Sequence, residues 1–204
     1  MAEAPNFQTE MRQLLRERII DTARRIVCAE GWGAVNMSRL AKEVGVSRPV
    51  MYKEFGNKHE LAEVVIQQEV DTFLIGIADS LAVHPDDVVA GLRQAVEFTL
   101  RTGADNTLLK AVLAGRTAPD TALLPVLMTE PEPVLGRAID AVAAMIRAQY
   151  ELASLPDTEL AALTETLVRL ALSHLFQPTG SIERAVDQIG AVIASTIAPA
   201  LIGD

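Results

Sequence analysis

Residues 37–58, MSRLAKEVGVSRPVMYKEFGNK, read as a helix, a glycine turn and a second short helix. That is the layout of a helix-turn-helix, whose second helix lies in the major groove of DNA. Leu40, Ala41 and Val44 fall at helical spacing, and Ala41 is small where a second helix must cross closely. Gly45 follows, a residue that can end a helix in the left-handed conformation without a Cβ clash. Val46 is expected to plug the core between the two helices. Ser47 is expected to cap the second helix through its hydroxyl, and Pro49 falls in the first turn, where its missing N–H costs nothing. Val50, Met51 and Phe55 supply a short apolar set, while Arg48, Tyr52 and Lys53 are left to point outward.

The flanks extend the helical pattern. A helix is predicted from about residue 12 to 30, with Leu15, Ile19, Ala23, Ile26 and Val27 on one face and Gly31 and Gly33 ending it. Asn36 is a cap for the helix that closes near Val44, and Asn57 for a long helix from Lys58 to about Ala82. His84-Pro85-Asp86 marks a break, with Asp86 placed to start a helix running to Gly103. A short helix is expected over 106–115. The stretch 117–133 carries four prolines and reads as irregular. Further helices are expected over 134–152, 157–176 and 181–198, separated by turns at Pro156 and Pro178. No strand alternation or internal repeat is visible. The fold class is therefore all-α: a small three-helix domain, residues 1–57, joined to a larger helical domain, residues 58–204.

Composition narrows the class further. Of the 204 residues half are apolar but only 4% aromatic, which favours aliphatic packing of helix on helix. A single cysteine excludes an internal disulfide framework and fits a reducing cytoplasm. The first ten residues hold acids and no apolar core, so no signal peptide is expected, and the weakly polar run 191–202 is too short to span a bilayer. A cytoplasmic protein without membrane partners is expected. The net charge is −9, unevenly spread. Residues 1–60 carry ten Lys and Arg against eight Asp and Glu, a balance of +2; residues 61–204 carry eight against nineteen, a balance of −11. Such asymmetry suits a chain that presents one end to phosphates and keeps the other away.

The train of residues from 14 to 62 resembles the TetR family of tetracycline-repressor-like transcriptional regulators. It includes Arg18 to Ala23, Glu30-Gly31-Trp32, the run from Leu40 to Ser47, Tyr52-Lys53-Glu54-Phe55 and Asn57-Lys58-x-Glu60-Leu61. The resemblance implies a homodimeric, ligand-responsive repressor of double-stranded operator DNA. Arg48 is the leading candidate for reading bases, since its fork can bond guanine O6 and N7 together. Pro49 and Val50 offer apolar atoms to a thymine methyl. Tyr52 and Lys58 match the family's phosphate-contacting tyrosine and lysine, and Lys53 points the same way. Asn36, Ser38 and Ser47 lie at helix starts, where a cap can also meet a phosphate. Two residues depart from the family pattern. Glu54 stands where relatives carry a group able to approach phosphate, and is expected to point away or to pair with Lys53 or Lys58. Val27 replaces a usual aromatic, with Trp32 expected to compensate by volume.

The resemblance also implies a cavity among the second-domain helices for an apolar or amphipathic effector. Phe73, Phe98, Leu113, Arg116, Met145, Tyr150 and His174 are the candidates to line or orient it. Dimerisation is expected through residues 157–198, because the last helix carries Ala185, Ile189, Val192, Ile193 and Ile197, apolar almost all round. The three histidines are scattered with no metal-ligand spacing, and no nucleophile elbow, phosphate-binding glycine loop or dinucleotide fingerprint occurs. No metal, cofactor or catalytic residue is expected. Cys28 is expected to be half-buried and structural. The competing class is a helical interaction protein or enzyme that has lost DNA binding, and Glu54 is its main argument.

Overall fold

The computed structural model describes residues 7–106, 108, 135–152 and 155–201. These form α1 (Phe7–Glu30), a short 3-10 turn (Trp32–Ala34), α2 (Met37–Val44), α3 (Arg48–Phe55), α4 (Lys58–Ala82) and α5 (Val88–Asp105). After the gap come α6 (Arg137–Gln149), α7 (Asp157–Phe176) and α8 (Ile182–Leu201). The chain is all-α, with no strand among the described residues. The expected helix over 106–115 lies largely outside them, and the irregular stretch 117–133, Leu113 and Arg116 lie wholly outside. None of the described helices is long and apolar enough to cross a membrane. Two compact units divide the described residues, one of 7–68 with Leu108 and the other of 69–106, 135–152 and 155–201, so the first division falls inside α4.

In the first unit each helix buries one stripe. Ile19, Ile20, Ala23, Ile26 and Val27 are buried on α1, Met37, Leu40, Ala41 and Val44 on α2, and Met51 and Phe55 on α3. The spacings of three and four residues put each set on a single face. Trp32 and Val27 are both buried. Helix α1 begins five residues earlier than expected; Phe7 and Met11 of this added length are exposed, as is Leu14 just beyond it. Cys28 is exposed, not half-buried, because it lies one residue past the buried pair Ile26 and Val27, off their face.

The second unit is built round Leu81, Leu92, Val96, Leu100, Ile146, Leu160, Leu163, Leu167, Ile189 and Ile193. Helix α5 packs against α7 and α8, α7 against α8, and α6 against α7. Asp87, not Asp86, starts α5: its carboxylate accepts from the Ala90 N–H at 2.9 Å. Arg147 locks the turn between α6 and α7, donating to the carbonyls of Leu152 (2.8 Å) and Leu155 (2.9 Å) and to Asp157 (2.6 Å). Arg93 pairs with Asp187 at 2.8 Å and Arg101 with Glu183 at 3.1 Å, tying α5 to α8. The last helix corrects the expectation of an apolar surface all round. Ala185, Ile189, Ile193 and Ile197 recur every four residues on one face buried within this chain, and only Val192 of the five stays half-buried.

Candidate nucleic-acid interface

The turn between α2 and α3 is built as the sequence demands. Gly45 sits at φ +85°, and the Ala41 carbonyl accepts from both the Gly45 (3.0 Å) and Val46 (2.9 Å) N–H groups. That arrangement satisfies a helix-end carbonyl while reversing the chain. The Asn36 side chain accepts from the N–H groups of Ser38 (2.8 Å) and Arg39 (3.4 Å), capping α2. Ser47 occupies the cap position of α3 but makes no side-chain cap bond, contrary to expectation. Its extended backbone and Pro49 in the first turn start the helix instead. Val46 is half-buried.

Helix α3 is anchored by two residues and shows the rest. Met51 and Phe55 are fully covered, while Arg48, Pro49, Val50 (36% exposed), Tyr52 (48% exposed) and Lys53 face outward. Burying each anchor is worth about 1.5–3 kcal/mol. Val50 thus belongs to the outer surface and not to the small core. The family-matched Tyr52 does not pack inward. At the head of α4 the Asn57 side chain accepts from the N–H groups of His59 (2.8 Å) and Glu60 (3.0 Å) and donates to the Glu60 carboxylate at 2.7 Å. Lys58 follows, half-buried, its ammonium 5.2 Å from the centre of the Trp32 ring.

Two groups of cations in this unit differ in their partners. Arg39 donates to Glu30 and Glu43, each at 2.8 Å, and its hydrogen bonds hold both carboxyls below the usual range. Arg25 pairs with Glu43 at 3.2 Å. Among the described residues, no carboxylate pairs with Arg48, Lys53 or Lys58. The paired set spends its charge inside the protein, and the α3–α4 set leaves it for an external anion.

Glu54 pairs with neither Lys53 nor Lys58. Its carboxylate turns back to α1, where Arg12 Nε donates to both oxygens at 3.0 Å and Arg16 lies at 3.4 Å. Lys53, next in sequence, points to another face of the helix, and Lys58 lies beyond Gly56 over Trp32. Only 6% of the Glu54 side chain is exposed. Arg12 and Arg16 are the functional neighbours that sequence reasoning missed. Their one-turn spacing on α1 was a signal, but not one that named a partner 42 and 38 residues away.

The candidate effector residues lie in the second unit. Phe73 on α4 meets Phe98 on α5 edge to face, ring centres 6.3 Å apart, both half-buried. Gly76, one turn from Phe73, makes room: a Cβ there would overlap the Phe98 ring. Met145 packs against the core and His174 is half-buried. Tyr150 is buried, and its hydroxyl donates to the Leu81 carbonyl at 2.9 Å. Burial, followed by the charge of Asp87, raises the pKa of this phenol. Among the described residues no cluster of His, Cys, Asp and Glu could hold a metal ion.

A basic, exposed second helix after a glycine turn, carried on a larger helical domain, defines a helix-turn-helix DNA-binding regulator. Comparison with known proteins agrees. The family described as "Bacterial regulatory proteins, tetR family" matches residues 19–65, and "Bacterial Tetracyclin repressor, C-terminal domain" matches residues 87–195. The chain belongs to the TetR family of transcriptional regulators, a family of DNA-binding proteins and not of enzymes. It is 26% identical over 188 residues to the transcriptional regulator AlkX of Mycobacterium tuberculosis (strain ATCC 25618 / H37Rv), covering 92% of this chain and 85% of that protein. Over 82 residues it is 34% identical to the transcriptional activator FasR of Mycolicibacterium smegmatis, covering 40% and 37% of the two chains. Among solved structures it shares its fold with the TetR family repressor AlkX of Dietzia sp. strain DQ12-45-1b, implicated in biodegradation of n-alkanes. The TM-score is 0.73 at 23% identity, over 90% of this chain and 95% of that one.

Proposed function

We propose that this regulator is a cytoplasmic repressor that binds a palindromic operator as a homodimer and leaves it when a largely apolar small molecule binds. Residues 1–57 form the DNA-binding module and 58–204 the effector and dimerisation module. The carrying observation is the outward face of α3, where Arg48, Pro49, Val50, Tyr52 and Lys53 are exposed and no carboxylate among the described residues pairs with the two cations. Arg48 reads bases, Pro49 and Val50 touch a thymine methyl, and Asn36, Ser38, Ser47, Tyr52, Lys53 and Lys58 meet the backbone. The argument for lost DNA binding rested on Glu54, and Arg12 and Arg16 take that carboxylate up.

A single α3 contacts too few base pairs for useful specificity, and a two-fold dimer through residues 157–198 doubles the reading. An apolar effector is supported by the aliphatic second unit and by the likeness to a repressor implicated in n-alkane biodegradation. Phe73, Phe98, Leu113, Arg116, Met145, Tyr150 and His174 are its proposed surroundings. Helix α4 runs through both compact units and is the proposed lever. An inducer must bind the DNA-incompetent arrangement better, and by linkage the operator must weaken the inducer by the same factor. A tenfold effect needs about 1.4 kcal/mol of coupling. The test is calorimetry of n-octane with and without operator duplex; weaker binding in the presence of DNA is expected, and equal affinity in both titrations would rule n-octane out as an inducer.

A further inference from the structure

Helix α3 has eight residues and two buried anchors, too few to hold its own pitch, since short helices are marginal without tertiary support. The anchors Met51 and Phe55 lie one turn apart on a single line, which fixes the helix along that line and leaves its tilt about it open. The structure closes that freedom from α1. The Arg16 guanidinium stacks over the Phe55 ring, 4.4 Å from its centre. It also donates to the backbone carbonyl of Glu54, one of the last-turn oxygens that has no partner inside the helix. The Glu54 carboxylate completes the grip, 3.4 Å from Arg16 Nη1 and 3.0 Å from Arg12 Nε. With that side chain 6% exposed, an unpaired charge there would be costly, so the arrangement holds as a set.

We propose that Arg16 is a positioning residue for operator recognition: by gripping the carboxyl end of α3 through Glu54 and Phe55, it sets the tilt at which Arg48 meets the base edges. This rests on the DNA-reading function proposed above. Arg48 lies six residues from Glu54, about 9 Å along the helix axis. A tilt of about 10° at the clamp would move it by about 1.5 Å, beyond the span over which a two-pronged guanidinium–guanine bond survives. The competing role is direct phosphate contact by Arg16, and the two roles separate by charge. Arg16→Ala removes a positive charge, Glu54→Gln removes a negative one, and Arg16→Lys keeps the charge while losing the planar fork.

The experiment titrates the full-length protein and these three variants with two labelled duplexes across a range of salt. One duplex is taken from immediately upstream of its own gene, the other is a scramble of the same composition, and thermal melts of each variant accompany the series. Positioning predicts that all three variants lower the upstream-to-scramble affinity ratio by about tenfold. Affinity for the scramble should fall in Arg16→Ala, rise in Glu54→Gln and hold in Arg16→Lys, with the salt slope of Arg16→Lys unchanged. A wild-type ratio in folded Arg16→Lys and Glu54→Gln would overturn the proposal. So would an equal loss on both duplexes in Arg16→Ala with full rescue by Arg16→Lys, the signature of a phosphate contact. A wild-type chain that does not distinguish the duplexes would sink the DNA-reading function itself, and this proposal with it.

Discussion

Arg48 occupies the first position of α3 with its side chain exposed, the place from which a major-groove helix reaches base edges. Replacing it with alanine is expected to weaken cognate binding by about 1–3 kcal/mol and to relax base preference at one position in each half-site. Equal weakening on random DNA would refute base reading. Lys58 should behave differently, because a phosphate contact carries no sequence. Lys58→Ala should weaken all duplexes alike and reduce the salt slope by about 0.9 per site lost. Because its ammonium lies over Trp32, the chain's single tryptophan, the same variant should shift the intrinsic emission; unchanged fluorescence would contradict that contact. Residue types at these positions were readable in the sequence because caps, glycine turns and outward faces depend on neighbours within four residues. The grip of Arg12 and Arg16 on Glu54 was not, since it depends on how α1 crosses α3 and on a partner about forty residues away.

At the scale of elements, local signals set α4 and α7 with the expected ends, while α1 and α8 run further than expected, α8 past Pro199 to Leu201. At the misjudged start of α1 no proline or glycine stands between residues 7 and 12 to break the helix, whereas α8 continues through Pro199 in its last turn. Tyr150 shows what the sequence could not assign. It closes α6, and its hydroxyl reaches the Leu81 carbonyl at the end of α4, while Gly91 on α5 is small because a Cβ there would overlap that hydroxyl. Tyr150→Phe should therefore cost about 1 kcal/mol of stability, and Gly91→Ala about 1–3 kcal/mol from overpacking. The two changes should be less than additive, because removing the hydroxyl relieves the overlap that the new methyl creates. Additive losses in a denaturant series would show that Gly91 is small for another reason.

The molecule as a whole joins a slightly basic reader to a strongly acidic remainder, and the palindrome reading proposed above calls for a second copy, one for each half-site. Because Ile193 is fully buried within one chain, Ile193→Glu is expected to unfold the second unit and says nothing about dimerisation. Val192, half-buried beside exposed Ala191 and Ser195, is the cleaner probe. Val192→Glu should leave the melt near wild type while shifting sedimentation from dimer to monomer and abolishing operator binding. A stable dimer in a folded Val192→Glu chain would move the interface away from α8. That this chain reads DNA sequence through α3 is tested most directly by measuring wild-type affinity for a duplex taken from immediately upstream of its own gene and for a scramble of it, at physiological salt. The account predicts at least a thousandfold preference, about 4 kcal/mol; affinities equal within error on the two duplexes would contradict it.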